Sequence, residues 1–341
     1  MTRVAVVGAG GWGQNHVRNF ASMGALAVVV DRDPKVRAER QAAYPGVRVV
    51  ASVDEALGEF DAAVIATDAS SHASLAEQLL DAKKDLLVEK PLALSSADAL
   101  RLCELAERNE RVLMVGHLLL FHPVVERLKA LVDAGELGDV LYLVCRRLNL
   151  GVVRRDENAW WSLAPHDLSI AGYLLGSEPT SVAATGGVFL QKEAGIEDVV
   201  FATVRYPGER LAHVHVSWLD PHKTRMVTVV GSKKMAVFDD TSPDQKLQIF
   251  DKGVEPPPRS LSYADGVRVR TGDIRIPALR MAEPLRRECE AFLEAVRTRR
   301  APLADGRSGL AVVRALEAGA RSLRRGGGEV AIGCRGQGGD V

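Results

Sequence analysis

The chain has 341 residues, of which 47% are hydrophobic and 26% are charged. That is the composition of an ordinary globular protein, and it excludes a disordered or fibrous chain. Lysine and arginine together number 44, as do aspartate and glutamate, so no overall charge favours nucleic acid or an acidic membrane as a partner. At roughly 150 residues per domain, the length predicts two domains.

The cysteine spacing indicates a reducing compartment, and the first residues do not resemble a secretion signal. No apolar run approaches the length of about 20 residues that spans a bilayer, and the first residues carry no cleavable signal pattern. The four cysteines have neither zinc-site nor C-x-x-C spacing, so we expect buried thiols in a soluble, cytoplasmic protein. They are Cys103, Cys145, Cys289 and Cys334.

The chain begins with a strand, a glycine turn and a helix. An apolar run over residues 4–7 is followed by a G-x-G-x-x-G pattern and a helical stretch over 14–23. This spacing provides a tight turn and close approach of a pyrophosphate, with the helix N-terminus directed at the phosphates. The predicted cofactor-binding residues of the turn are Gly8, Gly10, Gly11, Trp12 and Gly13.

A second apolar run, 27–30, ends in Asp31, about twenty residues beyond the turn. An aspartate there accepts hydrogen bonds from the adenosine ribose and repels a 2′-phosphate, which favours NAD. Arg32 beside it is the argument for NADP, because an arginine can hold that phosphate. A solvated acid at a strand end is the alternative without a ligand.

Strand and helix continue to alternate to about residue 120. Apolar runs at 47–50, 62–66, 86–88 and 112–116, with helices at 53–57, 73–82 and 95–109, predict a doubly wound parallel sheet of about six strands. Thr67 and His72 lie in a polar loop that leaves the same sheet edge as the glycine turn, so they either face the cofactor or only start the next helix, with Ser70 or Ser71 as its N-cap. The predicted NAD-binding domain spans 1–120 and ends near His117, which we place with the cofactor.

Glu89-Lys90-Pro91 closes the strand at 86–88. Pro91 lacks an N–H and ends the hydrogen-bond ladder of this strand. Glu89 and Lys90 therefore lie at the carboxyl end of a parallel strand, where ligands of open α/β sheets bind. Lys90 is therefore a candidate catalytic residue, and we also place it with the cofactor. The alternative is a surface ion pair.

The pattern then changes to successive strands. After a helix at 122–133, runs at 140–148, 181–190, 199–206, 211–218, 225–231 and 234–239 predict an α+β domain over 121–325 with an open, mainly antiparallel sheet. We expect helices on one sheet face and self-association into a homodimer or homotetramer on the other. Helices at 277–299 and 309–325 close this domain, and residues 326–341 are predicted to be a flexible tail.

One segment, 146–176, is dense in arginine, tryptophan and polar side chains. Guanidinium groups beside indoles suit a ligand that has a phosphate and a sugar-like face, whereas a solvated loop of ion pairs is the alternative. His166 follows Pro165 and is predicted to open a helix over 166–175, where the positive helix end favours the neutral ring; a histidine that merely caps is the alternative. No metal site is predicted, because His213 and His215 share a strand face without a third ligand. The predicted substrate-binding residues are Asn149, Arg154, Arg155, Asn158, Trp160, Trp161 and Asp167.

The glycine turn, the Glu89-Lys90-Pro91 triplet and a histidine ahead of Leu174-Leu175-Gly176 resemble the glucose-fructose oxidoreductase, inositol dehydrogenase and rhizopine-catabolism (Gfo/Idh/MocA) family, to about residue 325. The segments 149–151, 154–158 and 161–167 are similar to the branch that acts at C3 of nucleotide-linked sugars such as UDP-N-acetylglucosamine.

The resemblance implies an NAD-dependent oxidoreductase acting on the C3 hydroxyl or ketone of a nucleotide-linked sugar, with Lys90 and His166 as catalytic residues. It also implies that Thr67, His72 and Glu89 line the cofactor. Ser162 stands where the family usually has an aspartate, four residues before the histidine. Another sugar or cyclitol dehydrogenase, a glycosidase that works by transient oxidation and elimination, and a non-catalytic NAD-binding scaffold are the alternatives.

Overall fold

The structure, a computed structural model, describes residues 2–151, 153–155, 157–255 and 268–333. The chain forms two compact units. The first comprises Met1–His122 and Ala282–Arg314, and the second comprises Pro123–Met281 and Ala315–Val341.

The first unit contains a six-stranded parallel sheet in the order β3-β2-β1-β4-β5-β6. This is the order of a doubly wound dinucleotide-binding sheet, which confirms the predicted fold of this part. The central strands are buried along their whole length, as expected of a sheet with helices on both faces. The strands are β1 (Val4–Val7), β2 (Leu26–Val30), β3 (Arg48–Val50), β4 (Ala62–Ile65), β5 (Asp85–Glu89) and β6 (Leu113–Gly116).

Four helices connect these strands: α1 (Gly13–Ser22), α2 (Pro34–Ala43), α3 (His72–Asp81) and α4 (Ser96–Arg108). The helix α2 was not predicted from the sequence, although Asp33 caps it by accepting a hydrogen bond from the Lys35 amide and Pro34 stands in its first turn. The helix predicted at 53–57 is a single 3₁₀ turn, Val53–Ala56. Two further 3₁₀ turns are Ala69–Ser71 and Leu118–Phe121.

The second unit begins with α5 (Pro123–Asp133) and has a nine-stranded sheet in the order β14-β13-β12-β11-β7-β10-β9-β8-β15. Neighbouring strands are antiparallel except β7 and β10, which confirms an open, mainly antiparallel sheet. The strands are β7 (Val140–Leu148), β8 (Ser181–Gly187), β9 (Val199–Arg205), β10 (Leu211–Ser217), β11 (Thr224–Gly231), β12 (Met235–Asp239), β13 (Leu247–Glu255), β14 (Arg268–Arg275) and β15 (Val330–Ala331).

One face of this sheet is covered by the helix α6 (Ala159–Leu175), which packs on β7, β9 and β10. Leu143 and Cys145 of β7 point to that buried side, whereas Tyr142 of β7 and Phe201 of β9 are 42% and 43% exposed. On the outer side the His215 ring stacks on Phe201 at 4.3 Å between ring centroids, so a packing role accounts for this histidine. The prediction of helices on one sheet face is confirmed.

Two helices near the C-terminus, α7 (Pro284–Thr298) and α8 (Gly306–Arg324), correct the predicted domain boundary. The strand-rich pattern predicts that 277–299 belongs to the second domain, but α7 belongs to the first unit. Its apolar face packs on α1 and on the 3₁₀ turn before His122, with Phe292 edge-on to Phe20. The sequence shows the apolar face of this helix but does not show which of the two units the helix packs against.

The predicted tail is also corrected, because β15 pairs with β8 through Val330 and Val182. Residues 334–341, including Cys334, lie outside the described part of the chain. Cys103, Cys145 and Cys289 are buried free thiols, as predicted. No helix within the described residues is long and apolar enough to cross a lipid bilayer.

Candidate active site

The glycine turn follows β1 and leads into α1 with very close backbone packing. Gly8 has a φ of +82°, and a Cβ there would lie 2.8 Å from the Thr67 amide nitrogen. A Cβ on Gly13 would lie 1.8 Å from the Gly8 carbonyl oxygen, so both positions require glycine. Gly10 and Gly11 instead face open space within 4 Å, and no described side chain caps the start of α1. An uncapped helix start beside open glycines fits a dinucleotide pyrophosphate.

Asp31, after β2, is tied to this turn. Its Oδ2 accepts a hydrogen bond from the Ala9 amide at 2.8 Å, and its Oδ1 accepts one from the Asp33 amide at 2.9 Å. Arg32 is well exposed, with its guanidinium 3.6 Å from the Asp68 carboxylate. The acid is therefore fixed beside the turn, and its contact with a ribose stays a prediction.

The buried side chain of His72 contacts the loop that follows β4. The His72 Nδ1 lies 2.8 Å from the Pro91 carbonyl oxygen and its Nε2 lies 3.1 Å from the Thr67 carbonyl oxygen. Both partners are carbonyl acceptors, so a ring nitrogen that carries a hydrogen donates it to the carbonyl beside it. His72 thus joins the loops that follow β4 and β5, and its predicted cofactor contact is untested. Ser71 occupies the N-cap position of α3 without capping it, because its hydroxyl bonds instead to Thr67 and Asp68.

Glu89 ends β5 and is buried, which rules out the surface ion pair as an account of this triplet. Its Oε1 accepts hydrogen bonds from Trp12 Nε1 at 2.5 Å and from His16 Nε2 at 2.8 Å, and its Oε2 accepts one from the Lys90 amide at 3.2 Å. Burial raises the pKa of Glu89, but the hydrogen bonds and charges of its neighbours outweigh this and leave the pKa lowered. Glu89 as a whole is 7% exposed and its carboxylate accepts the Trp12 N–H, so it has little surface to offer a cofactor.

Lys90 follows at the carboxyl end of β5 and is half-buried, with a cis peptide bond to Pro91. In the first unit the structure brings together the glycine turn, Thr67, His72, Glu89 and Lys90 at one sheet edge. This confirms the placement argued from strand ends.

His16, Glu89 and Glu288 form a buried acid cluster that was not predicted from the sequence, with one nitrogen or oxygen atom of each residue within 4.8 Å of those of the other two. Burial, with the Glu89 charge second, raises the pKa of Glu288 well above its ordinary value. Within the described residues neither Glu288 oxygen has a hydrogen-bond partner. The available signal was a glutamate on the apolar face of α7, one turn from Leu285 and Phe292.

His117 follows β6 and is also buried, with neither ring nitrogen hydrogen-bonded to any described residue. Burial lowers the pKa of His117 to about 4, with Glu89 opposing and Lys90 adding to the shift. The ring is therefore neutral at physiological pH. Its cofactor contact stays a prediction.

This histidine predicts an acid-sensitive fold. An unfolded histidine takes up its proton near pH 6.5, but folded His117 does so only near pH 4, so stability falls as the pH drops between these values. The lost free energy of unfolding is about 3 kcal/mol for this group. Urea unfolding of the protein and of His117→Leu at pH 7 and pH 4.5 checks this: the variant should lose less stability on acidification, and equal losses would contradict it.

In the second unit, three of the predicted substrate residues are used in the fold. Asn158 caps α6, since its Oδ1 accepts a hydrogen bond from the Trp161 amide at 3.0 Å. Trp160 is fully buried and donates its Nε1 hydrogen to the Leu316 carbonyl at 3.0 Å. Asp167 is fully buried in an ion pair with Arg147 at 2.9 Å. Trp160 and Asp167 have no surface left for a substrate, which corrects their assignment.

The remaining predicted substrate residues are accessible. Asn149, Arg154 and Arg155 are exposed and Trp161 is half-buried. Arg154 pairs with Glu157 at 3.0 Å, as the solvated-loop alternative expects. Their contact with a substrate stays a prediction.

His166 lies inside α6 and does not open a helix, so that prediction is wrong. The helix begins earlier because Asn158 caps it, and Pro165 is accommodated within it. The argument from the positive helix end therefore does not apply to His166. Ser162 lies four residues earlier and thus on the same helix face. The helix ends as predicted at Gly176, which has a φ of +60°.

Comparison with known proteins agrees with this architecture. A family model described as an oxidoreductase family with an NAD-binding Rossmann fold matches residues 2–117, and one described as a GFO/IDH/MocA C-terminal domain matches residues 125–237.

UDP-N-acetylglucosamine 3-dehydrogenase from Acidithiobacillus ferrooxidans is 30% identical over 92% of this chain and 94% of its own. A solved structure of that enzyme superposes with a TM-score of 0.81, covering 95% of this chain and 98% of that one at 28% identity. Inositol 2-dehydrogenase from Rhizobium meliloti is 25% identical over 94% of this chain and 96% of its own. The chain therefore belongs to the Gfo/Idh/MocA family of oxidoreductases and is an NAD-binding dehydrogenase that acts on CH–OH groups.

Proposed function

We propose that the protein oxidises or reduces C3 of a nucleotide-linked sugar, with a UDP-N-acetylglucosamine-like substrate. The observation that carries this is the similarity, along nearly the whole of both chains, to a UDP-N-acetylglucosamine 3-dehydrogenase. The exposed arginines Arg154 and Arg155 and the half-buried Trp161 support it, because a guanidinium group and an indole suit a phosphate and a sugar face.

The chemistry assigned to this chain is positioning and proton transfer. Bound NAD would supply the hydride acceptor. The glycine turn and the start of α1 would hold its pyrophosphate, and Asp31 its adenosine ribose. Lys90 would hold the sugar hydroxyl and take its proton during oxidation, or return it during reduction. His166, assigned by resemblance, is the second catalytic residue. A lysine that accepts a proton must first be neutral, which burial and a cationic neighbour favour.

A cyclitol dehydrogenase is the second candidate, and the similarity to inositol 2-dehydrogenase is the observation that favours it. Oxidation with elimination of a glycosidic bond would use the same fold but regenerate its cofactor. A non-catalytic scaffold is disfavoured because Lys90 and His166 are both present.

The test is to mix the purified protein with NAD or NADP and a panel of substrates, and to follow absorbance of the reduced nicotinamide. The panel contains UDP-N-acetylglucosamine, UDP-glucose, free N-acetylglucosamine, myo-inositol and scyllo-inositol. We expect NADH to accumulate with a UDP-sugar and not with the free sugar. Turnover of inositols alone would select the second candidate, and release of a sugar without net NADH would select elimination.

We further propose that the outer face of the second unit's sheet mediates a homodimer or homotetramer, since it exposes Tyr142 and Phe201. Light scattering during size-exclusion chromatography should give a mass of two or four chains, and a monomer at micromolar concentration would contradict the proposal. The cytoplasmic location stays a prediction.

A further inference from the structure

The loops that follow β2 and β4 meet in an ion pair between Arg32 and Asp68. The Arg32 guanidinium nitrogen Nη2 lies 3.6 Å from Asp68 Oδ2, and both side chains are well exposed. Arg32 directly follows Asp31, and an acid at this position of a dinucleotide-binding sheet lies at the adenosine ribose. NAD and NADP differ only in a phosphate on the 2′-oxygen of that ribose. The ion pair therefore lies at the end of the site where the two cofactors differ.

Backbone hydrogen bonds hold both partners of this pair in place. Arg37 Nη1 donates to the carbonyl oxygens of Asp31 at 2.9 Å and of Arg32 at 2.8 Å, which fixes the chain after β2. In the other loop, the amide and the hydroxyl of Ser71 donate to the Asp68 carbonyl oxygen at 3.0 Å and 2.8 Å. The Asp68 side chain does not cap this turn. A substitution that changes only the Asp68 carboxylate therefore leaves the hydrogen bonds of the turn intact.

The charges at this end of the site oppose a 2′-phosphate. An arginine beside the acid can accommodate that phosphate, and a guanidinium group binds it through two parallel hydrogen bonds. In this chain the Arg32 guanidinium already faces a carboxylate. A phosphate would have to draw Arg32 away from Asp68, which would leave the Asp68 charge without its counter-ion near the incoming anion. The uncharged ribose hydroxyls of NAD require no such exchange.

Resting on the proposed contact of Asp31 with the adenosine ribose, we propose that Asp68 is a specificity-determining residue: it engages Arg32 and so favours NAD over NADP. The loop after β4 thus takes part in the choice of cofactor, together with the end of β2. An exposed ion pair contributes little to folding, so its loss should change the choice of cofactor and not the stability of the unit.

The test is a fluorescence titration of NADH and NADPH against the intact protein and Asp68→Asn, in roughly 0.01 M salt, where the screening length is about 30 Å. Asparagine keeps the size of the side chain and removes its charge, which releases Arg32. We expect the Kd for NADPH to fall about fivefold, the upper end of what an exposed ion pair contributes, with the Kd for NADH within twofold. A change in the NADPH Kd of less than twofold overturns the proposal.

A second pair of variants shows whether Asp68 acts through Arg32. In the Arg32→Ala background, Asp68→Asn should change the NADPH Kd by less than twofold, because no guanidinium group is present to be released. An equal gain in NADPH affinity with and without Arg32 would overturn the proposal, since Asp68 would then act by its own charge alone.

The dependence on salt separates an ion pair from a change in loop structure. At about 1 M salt, where the screening length is about 3 Å, the gain in NADPH affinity of Asp68→Asn should shrink. A gain that persists unchanged at high salt would indicate a rearranged loop and would also overturn the proposal.

The matched control is Asp81→Asn, which removes one exposed charge at the far end of α3. It should leave both Kd values within twofold, and a gain like that of Asp68→Asn would trace the effect to net charge and overturn the proposal. No sugar is present in these titrations, so their outcome does not depend on the proposed substrate. Asp31→Asn tests the ribose contact separately: if it leaves the NADH Kd unchanged while Asp68→Asn still tightens NADPH, the contact proposed for Asp31 is wrong and the role of Asp68 is not.

Discussion

Replacement of Lys90 by alanine is expected to lower kcat by about 10²- to 10⁴-fold, the range that a positioned acid or base contributes. Lys90 is the cationic side chain at the carboxyl end of β5, on the sheet edge that also carries the glycine turn. Cofactor binding should survive, because the turn itself does not depend on the Lys90 side chain. Steady-state turnover with the best UDP-sugar and a fluorescence titration with NADH measure the two effects separately.

The matched control is Lys35→Ala, which removes an exposed lysine of α2 in the same unit. It should leave kcat within twofold. Retained turnover in Lys90→Ala would refute the catalytic role, and simultaneous loss of NADH binding would assign the lysine to the cofactor instead.

Breaking the buried ion pair of the second unit is expected to destabilise the protein by about 3–5 kcal/mol. In Asp167→Leu the Arg147 guanidinium is left buried without its carboxylate. Burial raises the pKa of Asp167 and Arg147 only partly offsets this, so the pair as a whole gains little over apolar residues. Urea unfolding should therefore show a large loss in the single variant and recovery in Arg147→Met/Asp167→Leu.

The exposed pair of Arg297 and Glu294 provides the comparison, since Glu294→Gln should cost less than about 1 kcal/mol. If Asp167→Leu unfolds like the intact protein but raises the KM for the sugar, then Asp167 contacts substrate after all. A double variant no more stable than Asp167→Leu would show that the charges are not what couples these two positions.

Local patterns predicted the first unit well, because each of its features is contained in a short stretch. The spacing of Gly8 and Gly13 alone predicts the turn. The apolar runs before Asp31 and Glu89 predict buried strands. The exception, α2, has a weakly apolar face and no buried residue, so hydrophobic periodicity does not reveal it. Its signal was the cap at Asp33.

Features that depend on distant contacts were predicted poorly. Pro165 suggested a helix start at His166, but the hydrogen bonds of Asn158 outweigh that rule. Trp160 looked like a ligand-binding indole because the sequence does not show that Leu316 accepts its N–H. The sequence around Glu288 does not show that His16 of α1 and Glu89 of β5 are its neighbours in the fold.

The return of α7 to the first unit bears on how the chain is made. During synthesis the six strands of that unit leave the ribosome first, but Phe20 and His16 on α1 stay uncovered until Phe292 and Cys289 emerge. Folding of the NAD-binding unit can therefore be completed only after the second unit has been translated. A fragment that stops at His122 leaves the apolar side of α1 open to aggregation, so any dissection of this protein must carry Ala282–Arg314 with the first sheet.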